Sequence, residues 1–256
     1  MKVTILGSGT CVPRLSRSAS AVLVEEGATR ILLDIGPGTL RRMLEYGVTI
    51  FDIDAIFLSH FHPDHTAELI SFLFATKYPD GTRRRTQLRV AAGTGLKKFY
   101  QGLRSAYGDW IVLPSDQLSL IELDTRTGET IHVGETKVTA RPVNHRPESL
   151  GYRIEDHAGR SVVYSGDTDE TGSLVELARD AALFICEAAL PDDHKVSGHL
   201  TPSLAGRMAH SARAKCLVLT HLYPETDGVD LVRQAATTYD GPVIVAEDLM
   251  SFRLTR

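Results

Sequence analysis

The sequence predicts a mixed α+β fold in which helices cover a sheet core, and two observations carry that prediction. Short apolar, strand-like runs recur throughout, at Val3–Leu6, Ala21–Val24, Arg30–Asp34, Ala55–Ser59, Leu88–Ala91, Thr130–Val133, Lys137–Ala140, Ser161–Ser165, Leu183–Cys186, Leu217–Thr220 and Val243–Ala246. Between them, Thr39–Tyr46, Ala67–Thr76, Gly95–Ala106, Thr171–Ala178, Pro202–Ser211 and Val229–Thr238 carry apolar residues at three-to-four spacing, the period of a helix with one buried face. Strands come in runs early and alternate with helices later, which suits a sheet core with helical cover. At 256 residues and 43% hydrophobic, the chain can bury one large core, so a single domain over residues 1–256 is expected. No unit of about 20–50 residues repeats, which excludes a solenoid or propeller.

Composition narrows the function classes. The longest apolar runs, such as Ala55–Leu58 and Leu217–Leu219, fall far short of the roughly 20 residues a membrane-spanning helix needs. The N-terminus passes from Met1-Lys2 into Val3–Leu6 and Gly7-Ser8-Gly9 without a signal-peptide core, so a cytoplasmic location and no membrane partner are expected. Cys11, Cys186 and Cys216 form no C-x-x-C pair and read as buried small hydrophobes rather than a disulfide framework or thiolate metal site. The net charge of −4 argues against a nonspecific nucleic-acid coat. Locally, Lys77, Arg83, Arg84, Arg85, Arg89, Lys97, Lys98 and Arg104 face only Asp80 between Lys77 and Arg104, a segment able to meet an anionic substrate. Within it, Tyr78–Thr86 reads as an exposed loop.

The decisive string is His60-Phe61-His62-Pro63-Asp64-His65, between the strand Ala55–Ser59 and a helix expected to start near Thr66. It places four imidazole or carboxylate groups on one sharp turn. At this chain's own His and Asp frequencies such a string arises by chance in about one sequence in a thousand. Imidazole and carboxylate without thiolate suit zinc, with manganese or iron as alternatives. One loop cannot close two metal sites, so further ligands are expected at other strand ends. His145 follows the run at Lys137–Ala140, Asp167 follows Ser161–Ser165, and His221 follows Leu217–Thr220. Asp34, ending Ile31–Leu33, is expected to hold the free nitrogen of a ligating His, with a turn-forming role as the alternative. Gly7-Ser8-Gly9 lacks the third glycine of a dinucleotide loop, so no nucleotide cofactor is expected. His132, His157, His194 and His210 show no partnered spacing.

H-F-H-P-D-H, followed by Val143-Asn144-His145, Gly166-Asp167-Thr168 and Leu219-Thr220-His221, resembles the metallo-β-lactamase superfamily over nearly the whole chain. Leu6–Thr10, Leu33–Thr39 and Gly198-His199-Leu200-Thr201 are similar to its ribonuclease Z and phosphodiesterase branch. The resemblance implies a single-domain, four-layer αββα sandwich with two divalent metal ions, zinc first, at the sheet edge. It assigns His60, His62 and His145 to one metal, Asp64, His65 and His221 to the other, and Asp167 as the bridge. Two such ions acidify a shared water and neutralise charge on attacking and leaving oxygens, which makes the chain a hydrolase. Asp64 would bind metal through one oxygen and orient the nucleophile through the other. His199 would protonate the leaving oxygen or hold a phosphate oxygen, with Glu187 a candidate to orient it; local helix capping is the alternative.

Two departures bear on the substrate. The branch's P-x-K-x-R-N element falls on Pro13–Ser18, where Pro13 and Arg17 match but Leu15 and Ser18 replace the Lys and Asn. The long arm of the transfer-RNA enzymes has no room between His145 and Asp167. The expectation is therefore a phosphodiesterase acting on a modest anionic ester such as a cyclic nucleotide, a cyclic phosphate or a short RNA end, with larger RNA the less favoured partner. A lactone, thioester or carboxylic-ester hydrolase is the alternative at the same site, and a noncatalytic metal or RNA-binding module a third. A homodimer is the base-rate expectation for the assembly.

Overall fold

The computed structural model describes residues 1–78, 84 and 86–255. Among these, the strands form two seven-stranded sheets. One runs from edge to edge as β14 (Ser251–Arg253), β1 (Lys2–Gly7), β2 (Ala21–Glu26), β3 (Thr29–Leu33), β4 (Ala55–Leu58), β5 (Leu88–Gly93) and β6 (Leu118–Leu123). The other runs as β13 (Val243–Val245), β12 (Leu217–Thr220), β11 (Leu183–Glu187), β10 (Ser161–Tyr164), β9 (Leu150–Glu155), β8 (Thr136–Pro142) and β7 (Glu129–Val133). Around them lie α1 (Thr39–Tyr46), α2 (Pro63–Thr66), α3 (Leu69–Lys77), α4 (Leu96–Tyr107), α5 (Gly172–Leu177), α6 (Pro202–Ala212) and α7 (Leu231–Ala235).

Period-two alternation explains the layering. In β3 and β4, Ile31, Leu33, Ala55 and Phe57 point to one side and meet Val138, Tyr152, Ile154, Val162 and Ile185 of the second sheet. Their neighbours Leu32, Ile56 and Leu58 point the other way and pack with Met43 of α1, Phe72 and Leu73 of α3 and Leu96 of α4. The second sheet does the same: Phe184, Leu217 and Leu219 meet Leu174 of α5, Met208 and Ala209 of α6 and Leu231 of α7. Central strands buried on both faces must read as continuous apolar runs, as β4 and β12 do. The result is the four-layer αββα sandwich. Between the sheets the rings of Phe57 and Tyr152 meet edge to face at 5.2 Å, and Tyr152 donates to the carbonyl of Leu58 at 2.6 Å, so its hydroxyl is not buried unpaired.

Parallel pairing sets the location of function. β3–β4–β5 and β10–β11–β12 run parallel within their sheets, so each group presents its carboxyl ends along one edge. Asp34, Ser59-His60, Asp167, Glu187 and His221 all fall at or just beyond those ends, where open parallel sheets place ligand-binding groups. Two glycines allow the loops to approach each other. A Cβ on Gly36 would stand 2.0 Å from the carbonyl oxygen of Asp64, and one on Gly166, at φ +57°, would stand 2.6 Å from Cβ of Ser59.

Several expectations need correction. β6, β9 and β14 were not anticipated as strands. The helix expected over Ala67–Thr76 is α3, which starts two residues later after the separate turn α2; Glu68 between them serves α1, its carboxylate accepting from the backbone N–H of Gly38 (2.8 Å) and Leu40 (2.7 Å). The helix expected at Val229–Thr238 is confined to α7. Cys11 is exposed rather than buried, and Cys216 is half-buried. The basic stretch is not one cationic face. The guanidinium of Arg84 is buried on the carbonyls of Ile53 (2.9 Å) and Ile50, and Arg89 donates to the carbonyl of His132 at 2.8 Å. Much of the expected loop at Tyr78–Thr86, with Asp80, Arg83 and Arg85, lies outside the described residues. Among the described residues no helix is long and apolar enough to cross a membrane.

Candidate metal centre

β4 delivers the motif to the sheet edge, and Pro63 at the first position of α2 turns the chain so that His62 precedes the helix while Asp64 and His65 lie within it. The loops after β8, β10 and β12 bring His145, Asp167 and His221 to the same place. The imidazole and carboxylate atoms form two groups that share no residue, His60, His62, His145 and Asp167 on one side and Asp64, His65 and His221 on the other, with Asp167, His199 and His221 a further group linking them, the atoms of each group within 4.8 Å of one another.

Asp167 stands between the groups. Its Oδ2 is 3.7 Å from Nε2 of His60 and 3.9 Å from Nε2 of His145, while its Oδ1 is 3.2 Å from Nε2 of His65 and 3.3 Å from Nε2 of His221. Asp64 Oδ2 completes the second group, 3.5 Å from Nε2 of His221 and 3.7 Å from Nε2 of His65.

The donor set fits divalent ions on three counts. First, Nε2 of His60, His65 and His221 and Oδ1 of Asp167 are buried in no hydrogen-bonding alignment; their lone pairs converge on shared points rather than on one another. Second, these 3.2–3.9 Å separations approach the edge of about 3.3 Å expected of a tetrahedron with bonds of about 2.0–2.1 Å. Third, the electrostatics call for positive charge. Burial opposes the Asp167 carboxylate, yet the imidazoles of His221 and His65 hold it well below the usual carboxylate range. Burial likewise opposes a charge on His65, but Asp167 and Asp34 raise its pKa well above the usual value. Burial, then the charge of His65, pushes His60 well down. Fixed carboxylates among imidazoles that cannot all be protonated suit a bound cation.

The outer nitrogens of His65, His60 and His145 are fixed by partners, whereas Nδ1 of His221 is buried without one. Nδ1 of His65 donates to Oδ2 of Asp34 at 2.7 Å. Nδ1 of His60 contacts Oγ of Ser59 at 3.0 Å, and that hydroxyl donates to the same Asp34 oxygen at 2.8 Å. Tyr164 adds its hydroxyl to Asp34 at 2.7 Å; burial, then the charge of Asp34, pushes the phenol pKa well up and keeps it a donor. Nδ1 of His145 donates to the carbonyl of Gly198 at 2.9 Å, and the N–H of Gly198 is held by Asp169 at 3.1 Å. Each bond leaves Nε2 facing inward and raises its basicity. Asp34 and His221 adopt left-handed backbone, φ +59° and +57°, which costs a non-glycine residue on the order of 1 kcal/mol and recurs where side chains are aimed at a site.

His199 lies between the two groups, its ring 4.9 Å from that of His145 and stacked on that of His221 at 5.5 Å and 9°. Its Nδ1 donates to Oε1 of Glu187 at 3.0 Å. Burial would lower the pKa of His199, but the hydrogen bond and charge of Glu187 override it and raise it to about 9. Glu187 is itself fixed by the N–H groups of Thr168 (2.7 Å) and Leu200 (3.0 Å).

The structure thus brings His60, His62, Asp64, His65, His145, Asp167, His199 and His221 together, with Asp34 and Glu187 behind them. His132, His157, His194 and His210 are exposed and elsewhere. Sequence reasoning missed Ser59, Tyr164 and Asp169, and named Gly198 only as part of the element around His199. Of the three missed, only Ser59, adjoining the motif, carried a local signal.

The comparisons agree with this geometry. A family described as "Beta-lactamase superfamily domain" matches residues 29–222. An uncharacterised protein of Mycobacterium leprae is 34% identical, over 95% of this chain and 85% of its own. Ribonuclease Z of Haloferax volcanii is 30% identical, over 97% of this chain and 93% of its own. Among solved structures, the metallo-β-lactamase fold protein YhfI of Bacillus subtilis superposes with a TM-score of 0.86 at 25% identity, covering 98% of each chain. The short form of human tRNase Z superposes with a TM-score of 0.80 at 26% identity, covering both chains in full. Fold, site and relatives converge: the chain belongs to the β-lactamase superfamily, as a ribonuclease Z-like, metal-dependent hydrolase.

Proposed function

We propose that the chain is a phosphodiesterase whose site holds two divalent ions, zinc by its donor set, and that it acts on a modest phosphodiester rather than on a folded RNA. The observation that carries the reading is the placement of Asp167, one carboxylate oxygen toward each ligand group, with His199 beside both. His60, His62 and His145 would hold one ion, Asp64, His65 and His221 the other, and Asp167 both. Such a pair, when bound, lowers the pKa of water and neutralises charge on phosphoryl oxygens.

The chain's own residues supply the rest. Asp64 is positioned to accept a hydrogen bond from the attacking water with the oxygen not turned to His221, fixing its line of approach. His199, its Nδ1 proton committed to Glu187, presents Nε2 to the site and donates the proton that the leaving oxygen requires. A phosphodiester leaving group needs that proton more than an activated lactone does, so His199 favours the diester reading over ester hydrolysis.

Two features support a small substrate. Between His145 and Asp167 the chain forms the tight hairpin of β9 and β10, closed by Asp156 on Arg160, with no projecting arm. Arg17 of the Pro13–Ser18 element turns inward, donating to Oγ of Ser8 and the carbonyl of Ala246.

The test compares metal-reconstituted wild type and His199→Ala on a 2′,3′-cyclic nucleotide, whose ribose oxygen leaves poorly unless protonated, and on a model lactone. Diester turnover that falls roughly 10²–10⁴-fold in the variant supports the proposal. Lactone turnover without diester turnover overturns it in favour of an ester hydrolase, and inertness toward both favours a binding module.

A further inference from the structure

A groove of about 500 Å³ lies beside the motif loop at Phe61, within the size range of small-molecule sites. Phe61, the residue between His60 and His62, forms one wall, and its ring stacks on Phe99 of α4 at 4.7 Å and 11°. Glu148, three residues beyond His145, closes the other end, so both loops that carry the histidines of the first group also line the groove. Thr94 and, from α4, Lys98 and Leu103 also line it.

The floor is the informative part. Gly102 sits inside the twelve-residue α4, where glycine costs a helix about 1 kcal/mol relative to alanine. Nothing in the packing requires it: a Cβ there would meet no atom within 4 Å, and its backbone is in the helical region. A side chain at this position would enter the groove instead. At the helix start, a Cβ on Gly95 would touch only Phe61, at 3.5 Å. The N-terminus of α4 is not an anion site, because Glu122 already accepts from the N–H of Gly95 (2.8 Å) and of Lys97 (3.2 Å). The groove therefore offers apolar walls, a floor cleared of side chains, the ammonium of Lys98, the carboxylate of Glu148 and the hydroxyl of Thr94.

We infer that this groove is a stacking subsite for a nucleobase carried by the substrate, with Phe61 and Phe99 as the platform and Gly102 as the opening. Stacking on aromatic side chains tolerates any base and needs little hydrogen bonding, which matches walls that supply few polar groups. Phe61 couples the base to the chemistry, because its backbone is fixed by the ligand residues on either side. The inference rests on the diesterase reading for the identity of the substrate but is tested separately from it.

The experiment measures binding of AMP and of ribose 5-phosphate to the metal-loaded protein by isothermal titration calorimetry, for wild type, Phe61→Ala and Gly102→Leu. Gly102→Leu replaces glycine with a strong helix former at an exposed position, so its Tm should not fall and a loss of binding cannot be ascribed to misfolding. The expected result is that wild type binds AMP at least about five-fold more tightly than ribose 5-phosphate, the low end for a base stacked on an aromatic ring. Both variants should erase that preference and leave ribose 5-phosphate affinity unchanged. Equal affinity for the two ligands in wild type, a preference that survives in both variants, or no detectable binding of either ligand overturns the inference. A base preference that the variants abolish, in a protein that cleaves no diester, supports the subsite and sinks only the diesterase reading.

Discussion

Oδ2 of Asp34 accepts from Nδ1 of His65 at 2.7 Å, with both side chains wholly out of solvent. That bond fixes which nitrogen of His65 faces the centre, and the left-handed backbone of Asp34 aims the carboxylate. Asp34→Asn keeps a residue tolerant of that backbone while removing the charge. It should weaken metal affinity by roughly 10–100-fold with the fold retained, read by competition with a chromophoric chelator. Unchanged affinity would show that Asp34 only shapes the turn.

Tyr164 ties the same carboxylate to the inter-sheet core. Tyr164→Phe removes one buried hydrogen bond to a charged group and nothing of the ring's packing, so it should cost about 1.5–3 kcal/mol of stability. Urea denaturation of the metal-free protein checks this. A loss within about 0.5 kcal/mol, as at an ordinary surface site, would mean that Ser59 and His65 suffice to hold Asp34.

On the proposed reading Glu187 acts through His199, and the sign of its effect on pH dependence follows from the ion pair. A general acid works while protonated, so turnover is retained below its pKa and lost as pH rises through it. Because Glu187 raises the pKa of His199, Glu187→Gln should move the alkaline limb of the kcat profile to lower pH, and wild type should outperform the variant most above neutrality. A limb that does not move would assign the proton to another group.

Metal loading should stabilise the fold, because the converging donors exist only in the native state. An ion at 100 times its dissociation constant adds about 2.7 kcal/mol, which for a chain of this size corresponds to a Tm rise of roughly 5–10 °C. Differential scanning calorimetry with and without a chelator measures it. Identical transitions would argue that the cluster binds no ion tightly.

Much of this was legible in the sequence, and the limits have physical causes. The central strands announce themselves because burial on both faces demands continuous apolar runs, and the putting of His60, Asp167 and His221 directly after such runs made the centre readable. β9 was missed because Gly151 and Arg153 interrupt its apolar residues; Arg153 instead donates to the carbonyls of Leu177 and Arg179. β14 is three residues long and owes its pairing to β1, nearly the whole chain away. The Asp169–Gly198–His145 link joins three separate loops and has no local signature. The tie from the Glu68 carboxylate to the start of α1 is likewise a tertiary contact.

The most direct test of the central claim is to titrate metal-free protein with zinc while following diester turnover and bound metal together. Both should rise to a plateau at two equivalents per chain, since Asp167 faces two ligand groups. Saturation at one equivalent, or metal bound without diester turnover at any stoichiometry, would contradict it.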